Sequence, residues 1–426
     1  MKSRSAMLPR LAVSFLMLSS VLPVLGSTTS SPENSSVTPA GSPPRPPSPL
    51  GDLTWTLGLR LYRAVRSEPS SVNAVFSPLL VASSLGALGG GSAGTTAGQV
   101  QDLLKTPVSS KAKAQVGGLL SAALKSFTDA NGTAFHLHTS SAMFSKQAPP
   151  VSKSFVKDSQ AKFRLQHQPM GKGDAKADLK QLRAWAKAGL GGLDGAPVEG
   201  EIKANAGALI LASALRFKGL WEKEFSQEST DRRTFLGVKY TKVMMMHRAG
   251  LYRFHEDMEN MVQVLEAPLL GNKASLVLLL PFHVENLDRV EKLLNPEQLS
   301  KWLEKTSRTS VSISLPRANI SSTLSLQKPL SALGLTDAWD QKVADFSGVS
   351  DKSKGKLHLG GVFHWASLEL AAEAGKGTVE EENIQKPKLF YADHPFIIFV
   401  RDSATGALLL MGAVDHLEGE PLHDEL

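Results

Sequence analysis

The most restrictive feature of this sequence is the absence of cysteine from all 426 residues. Disulfide bonds, cysteine-ligated zinc and thiol catalysis are therefore excluded. The fold has to be held together by core packing alone, and 42% of the residues are hydrophobic. Roughly 370 residues remain once the terminal segments are set aside, which is enough for one large domain or two ordinary ones.

The N-terminus carries the pattern of a cleavable secretory signal. Basic residues precede an apolar stretch from Leu11 to Leu25, and small residues near Gly26 offer a cleavage site. An uncleaved membrane anchor is the alternative, but the stretch is short for a bilayer span and serines interrupt it. We predict a signal peptide at residues 1–26 and a disordered tail in the Ser-, Thr- and Pro-rich residues 27–50.

The C-terminus resembles a retrieval signal of the endoplasmic reticulum. It consists of His423, Asp424, Glu425 and Leu426. Such a tetrapeptide is read by a retrieval receptor at a free C-terminus inside the secretory pathway. Three glycosylation acceptor sites, which also need luminal exposure, occur at Asn34, Asn131 and Asn319. These features predict a glycoprotein of the endoplasmic reticulum lumen.

Charge and hydropathy exclude other classes of partner. The formal charge is +7, and no Lys/Arg cluster or basic stripe interleaved with aromatic residues argues for nucleic acid. Beyond the signal, no stretch is long and apolar enough for membrane insertion. We expect a monomer without a membrane anchor.

Hydrophobic spacing predicts several helices. One starts at Asp52, with apolar residues at helical spacing, and breaks before Asn73. A second is predicted near residues 99–105, and a third at residues 287–305.

Strand patterns are equally clear. Residues 275–280 form an apolar run typical of a strand buried on both faces, whereas residues 311–315 alternate as in a strand buried on one face. Residues 396–400 and 408–414 flank a turn and predict a C-terminal hairpin. With no repeat or internal linker after residue 51, the pattern predicts one large mixed α+β domain at residues 51–415, followed by a tail at residues 416–426.

Motifs for catalysis are weak in this sequence. The glycine-rich residues 89–94 formally match a dinucleotide fingerprint and a nucleophile elbow. Both motifs need a preceding strand, whereas residues 78–88 read as a helix, so the glycines are expected to end it. No HExxH pair, Walker loop or suggestive carboxylate pair occurs. We predict no catalytic residue, no metal site and no cofactor, and therefore no enzyme.

Six motifs in the right order resemble the signatures of the serpin family. They lie at residues 73–78, 94–96, 214–221, 265–268, 333–338 and 393–396. The resemblance implies a fold of three β-sheets and about nine helices, with a reactive loop near the C-terminus. Ser213 departs from the family, which commonly has asparagine there, and this puts one local hydrogen bond in doubt.

The expected reactive loop is short and charged. Inhibitory serpins insert their cleaved loop as a strand, and the hinge at residues 373–382 ends in three consecutive glutamates. Strand faces alternate, so insertion would bury at least one unpaired charge, at a cost of several kcal/mol. The sequence therefore favours a non-inhibitory member.

A closer resemblance joins the chain to the collagen-binding heat-shock branch of the serpins. It is carried by residues 244–250 and by residues 387–396. It implies that Asp393 pairs with the arginine of a Gly-X-Arg triplet, whose side chain projects outward from the procollagen triple helix. The further contacts it implies are Leu389 and Tyr391 on the same strand face, together with Arg233 and Ser314.

Release at lower pH would need a histidine, because a free aspartate titrates near pH 3.9 and histidine near 6.5. The candidates for this pH switch are His283, His394 and His247. The branch carries a histidine pair where this chain has only His283. Two alternatives stay open: a secretory-pathway serine protease inhibitor, and a diverged chaperone-like serpin with another luminal client.

Overall fold

A computed structural model describes residues 48–68, 73–105, 110–146, 150–171, 174–195, 207–350, 357–375 and 383–422. The signal peptide, the retrieval tetrapeptide, Asn34, residues 27–47 and the glutamates at 380–382 lie outside the described residues. Their assignments stay predictions. One compact unit spans Pro43–Leu426.

Nine α-helices occur in the described residues. In chain order they are α1 (Pro49–Arg66), α2 (Pro78–Gly91), α3 (Gly94–Leu104), α4 (Ser110–Asp129), α5 (Lys153–Phe163), α6 (Ala175–Gly189), α7 (Asp288–Leu293), α8 (Pro296–Lys305) and α9 (Gln327–Ala332). The first helix starts three residues before the predicted Asp52. Pro49 opens it and the Ser48 hydroxyl accepts a hydrogen bond from the Gly51 amide at 3.1 Å, so residues 49–50 are helix rather than tail.

The glycines at residues 89–94 end one helix and begin the next. Helix α2 extends to Gly91, and Gly94, with a φ of +56°, opens α3. Residues 78–91 form a helix rather than a strand. The prediction that the glycines lie at a helix terminus is therefore confirmed.

The prediction of a single helix at residues 287–305 is wrong. The segment forms α7 and α8, separated at Leu294 and Asn295. Pro296 cannot continue a helix from the preceding turn, and the Asn295 side chain caps α8 by accepting from the Gln298 amide at 2.9 Å. Trp302 and Leu303 are buried as expected, whereas Leu293 is half-buried.

The strands form two hydrogen-bonded networks. They are β1 (Ala74–Phe76), β2 (Phe135–Lys146), β3 (Gln166–Met170), β4 (Ala208–Gly219), β5 (Thr230–Leu236), β6 (Tyr240–Asp257), β7 (Val262–Pro268), β8 (Ala274–Pro281), β9 (Ser307–Pro316), β10 (Ala318–Ser325), β11 (His358–Leu370), β12 (Lys388–Tyr391), β13 (Phe396–Asp402), β14 (Leu408–Val414) and β15 (Glu420–Pro421). One network has the order β1-β14-β13-β8-β7-β6-β9-β12, with β5 and β15 also on β6. The other has the order β10-β11-β4-β2-β3.

The long strand β6 explains why three expected sheets give two networks. Its N-terminal part pairs with β5 at residues 240–246, and its C-terminal part pairs with β7 at residues 253–257. Strand β6 thus belongs to two sheets and joins them by continuous hydrogen bonding. The predicted C-terminal hairpin is confirmed as β13 and β14.

The predicted C-terminal tail is partly structured. Leu417 is buried, and β15 pairs with Lys242 and Thr241 of β6. The Thr241 hydroxyl also donates to the Leu417 carbonyl at 2.9 Å. The tail is therefore attached to the domain at Leu417 and through β15, which covers part of an edge of β6.

A buried histidine ties the two parallel strands β4 and β11 to helix α2. His364 of β11 is fully buried, and its Nε2 accepts from the Ser77 amide at 2.9 Å. Its Nδ1 then carries the proton and donates to the Ser213 hydroxyl at 2.6 Å. Serine at position 213 therefore keeps a hydrogen bond here. Burial lowers the pKa of His364 to about 3.

This low pKa predicts a loss of stability in mild acid. The unfolded histidine takes up a proton below about pH 6.5 whereas folded His364 does not, so stability is full above that pH and falls below it. We expect the free energy of unfolding to drop by about 1.4 kcal/mol from this group between about pH 7.5 and 5.5. Urea unfolding at both pH values measures it. A His364→Gln variant with the same pH dependence as wild type would contradict the assignment.

Candidate functional site

The residues predicted to bind a partner surround the edge strand β12. This strand pairs in parallel with β9, and Leu389 stands opposite Ser312. Period-two alternation buries Phe390 completely, with its ring centroid 6.4 Å from that of Phe254, and leaves Leu389 70% exposed. The side chain of Gln263 covers part of the edge by donating to the Leu389 carbonyl at 2.9 Å.

Asp393 lies just beyond this strand rather than on it. Strand β12 ends at Tyr391, and the Asp393 amide donates back to the Tyr391 carbonyl at 3.0 Å. The turn is fixed from outside as well, because the Leu236 amide donates to the Asp393 carbonyl at 2.7 Å. The Asp393 side chain is 27% exposed, so its carboxylate is held in place and still reaches solvent.

His394 is held between two acceptors. Its Nδ1 lies 2.8 Å from Asp393 Oδ1, and its Nε2 lies 2.8 Å from the Pro281 carbonyl. A neutral imidazole has only one N–H, so it satisfies one of these contacts, whereas the protonated ring donates to both. Protonation of His394 would therefore strengthen its bond to the Asp393 carboxylate.

A second network lies beside Tyr391. His247 Nε2 is 2.9 Å from Asp231 Oδ1, and its Nδ1 is 2.7 Å from the Ser314 hydroxyl. A neutral ring satisfies both contacts, because the hydroxyl can donate to Nδ1. The ring centroids of His247 and Tyr391 are 6.1 Å apart. Ser314 is only 4% exposed, so its hydroxyl bonds the His247 ring and does not face solvent.

Arg233 is oriented by the same aspartate. Its Nη2 and Nε lie 2.7 and 3.1 Å from the two Asp231 oxygens, which is a bidentate pair. Hydrogen bonds from His247 and Arg233 hold the pKa of Asp231 below its ordinary value. Asp231 was not among the predicted residues. Its position two residues before Arg233 on a strand was the signal that could have found it.

Tyr391 connects the two networks, because the Asp393 amide bonds its carbonyl and the His247 ring centroid lies 6.1 Å from its own. Burial is the main cause that raises the pKa of Tyr391, the carboxylates of Asp393 and Asp231 add to it, and Arg233 opposes it. The structure thus brings together Arg233, Tyr391, Asp393, His394 and His247, with Leu389 on the same edge. We call this group the β12 surface.

The other predicted site residues lie elsewhere. His283 is exposed in the loop after β8, two residues beyond Pro281, and the described residues give its side chain no hydrogen bond. Asn319 is exposed on β10. Asn131 is exposed as well, and both ends of its amide bond the backbone of Leu137, at 2.9 and 2.7 Å. Neither a metal-binding cluster nor a helix that could span a membrane occurs in the described ranges.

The start of the loop segment is fixed to the domain. Trp221 Nε1 donates to the Ala371 carbonyl at 2.7 Å, and the Gly375 amide donates to the Trp221 carbonyl at 2.9 Å. Lys218 bridges Glu369 and Glu373 at 3.1 and 2.7 Å. At this end, strands β4 and β11 pair directly as far as Lys218 and Glu369.

These features define a serpin. The family model described as serpin (serine protease inhibitor) matches residues 53–417, and the chain belongs to this family. Uncleaved ovalbumin shares the fold, with a TM-score of 0.76, 23% identity and coverage of 86% of this chain and 99% of that chain.

Among curated relatives, the chain is similar to Serpin H1 of Gallus gallus, with 35% identity over 88% of this chain and 93% of that protein. Serpin H1 of Mus musculus is also 35% identical, over 88% of this chain and 90% of that protein. Serpin B10 of Sorex araneus is more distant, with 28% identity over 83% of this chain and 96% of that protein.

Proposed function

We propose that this serpin is a non-inhibitory chaperone that binds procollagen in the lumen of the endoplasmic reticulum. In this proposal the β12 surface reads Gly-X-Arg triplets of the triple helix. The observation that carries it is the fixed, solvent-reaching Asp393 carboxylate beside the exposed Leu389. A carboxylate and an apolar side chain on one surface are complementary to an arginine that projects from the collagen triple helix between apolar neighbours.

Tyr391 and Arg233 extend the proposed contact on the same surface. The Arg233 side chain is 54% exposed while Asp231 holds it, so it can donate to a carbonyl of the client. Ser314 and Asp231 are proposed to act indirectly, because they orient His247 and Arg233. Luminal residence and capture by the retrieval receptor rest on the predicted terminal signals.

The test is binding to an immobilised triple-helical Gly-Pro-Arg peptide at neutral pH, compared with the same peptide after heat unfolding. The proposal predicts binding to the triple helix and little to the separated chains. Equal binding to both forms, or binding to neither, would overturn it.

Two observations argue against the protease-inhibitor alternative. The hinge backbone is paired with Trp221, and Lys218 of β4 bridges Glu369 of β11 and Glu373 of the hinge. Loop insertion would have to break both. A detergent-stable complex with a serine protease would restore that alternative.

We propose that His394 drives release in mild acid. Protonated His394 donates to Asp393 and neutralises the charge that attracts the client arginine, whereas His247 is already satisfied when neutral. Affinity should therefore be highest at neutral pH and fall as the pH drops.

In His394→Gln, which cannot gain a charge, the ratio of affinities at about pH 7.5 and 6.0 should approach one, while His283→Gln should keep the wild-type ratio. Circular dichroism of both variants checks that they are folded. A flat profile in His283→Gln together with a normal one in His394→Gln would reverse the assignment.

A further inference from the structure

The side chain of Asn131 closes the connection between helix α4 and strand β2. Its Nδ2 donates to the Leu137 carbonyl at 2.9 Å, and its Oδ1 accepts from the Leu137 amide at 2.7 Å. Gly132, whose φ is +81°, turns the chain between the two elements, and its amide donates to the Phe135 carbonyl at 2.7 Å. We call the paired contact of Asn131 with Leu137 the α4–β2 clamp.

The clamp covers a strand edge that no neighbouring strand reaches. One edge of β2 pairs with β4, whereas β3 covers the other edge only from Ala142 onward. At Leu137, which is buried, the side chain of Asn131 takes the place of a neighbouring strand for one residue. An unpaired amide and carbonyl at this position would be costly, so the clamp contributes to the fold.

Both bonds of the clamp use the same edge of the Asn131 side-chain amide. Because its donor and acceptor face one residue, the Nδ2 hydrogen in use is the one on the same side as Oδ1. An N-linked sugar replaces one Nδ2 hydrogen and makes the amide a secondary one. A secondary amide is trans, which puts the substituent on the side of the oxygen. The sugar would therefore take the position of the hydrogen that bonds Leu137, so the clamp and a glycan exclude each other.

Asn319, in a second acceptor motif, has no such conflict. It lies on β10, an edge strand of the five-stranded network, opposite Glu369 of β11. The next residue, Ile320, is buried, so strand alternation turns the exposed Asn319 side chain away from the core. Within the described ranges its side-chain amide has no hydrogen-bond partner. A sugar on this amide would therefore extend into solvent without breaking a contact.

We infer that Asn319, and not Asn131, carries the N-linked carbohydrate of the folded chain, and that Asn131 is a structural clamp. The inference rests on the proposed luminal location, where both acceptor motifs meet the glycosylation machinery. A glycan added to Asn131 before folding would keep the clamp open, and in the folded chain the amide is engaged with Leu137. The motif at residues 131–133 thus permits a modification that the fold opposes.

The first measurement locates the carbohydrate. The full chain is made in a secretory-pathway host, and its folded fraction is treated with peptide N-glycosidase in isotopically labelled water. The enzyme marks each asparagine that carried a glycan, and mass spectrometry of the peptides reads the mark. Asn319 should be marked in the folded fraction, and Asn131 should not.

The second measurement compares two variants from the same host. Thr133→Ala removes the acceptor motif, keeps the clamp and loses only an exposed bond to the Ala130 carbonyl. It should shift the thermal midpoint by less than about 1 °C. Asn131→Asp has the same shape but sets a carboxylate oxygen against the Leu137 carbonyl, so it should lower the midpoint by about 3 °C or more.

Either measurement can overturn the inference. A mark at Asn131 in most folded molecules, or no mark at Asn319, would contradict the assignment of the carbohydrate. An Asn131→Asp variant as stable as Thr133→Ala would show that the fold does not need the clamp. Neither readout involves the client, and affinity for the collagen peptide should be the same in wild type and both variants. Failure here is therefore separate from failure of the proposed chaperone function.

Discussion

Replacing Lys146 by methionine should destabilise the domain by about 3–5 kcal/mol, because it leaves Asp178 buried without its cation. The side chains of Lys146 and Asp178 are only 9% and 3% exposed. Their ion pair joins the end of β2 to the first turn of α6.

The matched control is the double variant Lys146→Met/Asp178→Leu. Replacing both members of a buried ion pair by apolar residues is often close to neutral, so most of the lost stability should return. Denaturant unfolding of wild type and both variants measures the difference. A cost below about 1 kcal/mol for Lys146→Met, or a double variant no more stable than the single one, would show that this pair does not anchor α6.

Asp393→Asn should weaken binding to a triple-helical Gly-Pro-Arg peptide by about 2–5 kcal/mol, because the client arginine then loses its charged partner inside a desolvated contact. Asparagine keeps the shape of the side chain and can still bond to His394. The fold should therefore be preserved, and the thermal midpoint should change little.

The control for this substitution is Asp158→Asn, which removes the same charge from an exposed position on α5 where Asp158 pairs with Lys162. It should leave peptide affinity within about twofold of wild type. Isothermal titration with the folded peptide compares the two variants. Equal affinities for Asp393→Asn and wild type would mean that Asp393 is not the arginine-reading residue.

Much of the fold follows from local sequence patterns. The existence of α1, the fully apolar β8 and the C-terminal hairpin depend on spacing and turn residues close in sequence, so they could be predicted, although α1 starts three residues before the predicted Asp52. The break between α7 and α8 was also present in the sequence, as Asn295 followed by Pro296, but continuous hydrophobic spacing hid it. Proline chemistry outweighed periodicity there.

The burial of Ser314 could not be predicted from alternation. Alternation predicts a solvent-facing serine on β9, yet β6 and β12 flank this strand and His247 covers the hydroxyl. The role of Asp231 likewise depends partly on His247, which lies on the neighbouring strand β6 and meets it only in the folded chain. The contacts of the β12 surface are tertiary, whereas its residue types were visible in the sequence.

The roles of the three histidines could not be separated from the sequence alone either. The sequence offered His394 and His283 as the first candidates for a pH switch, with His247 behind them. Only their partners separate them: two acceptors around His394, a donor and an acceptor around His247, and an exposed position for His283. Hydrogen-bond partners of this kind are fixed by tertiary packing and not by spacing.

The central claim is that Asp393 reads an arginine of the collagen triple helix, and a double-mutant cycle tests it most directly. One side of the cycle is Asp393→Asn, and the other is a triple-helical peptide in which that arginine is replaced by glutamine. The account predicts a coupling energy of at least about 1.5 kcal/mol at neutral pH, smaller in mild acid. A coupling energy near zero, with each single change weakening binding independently, would contradict it.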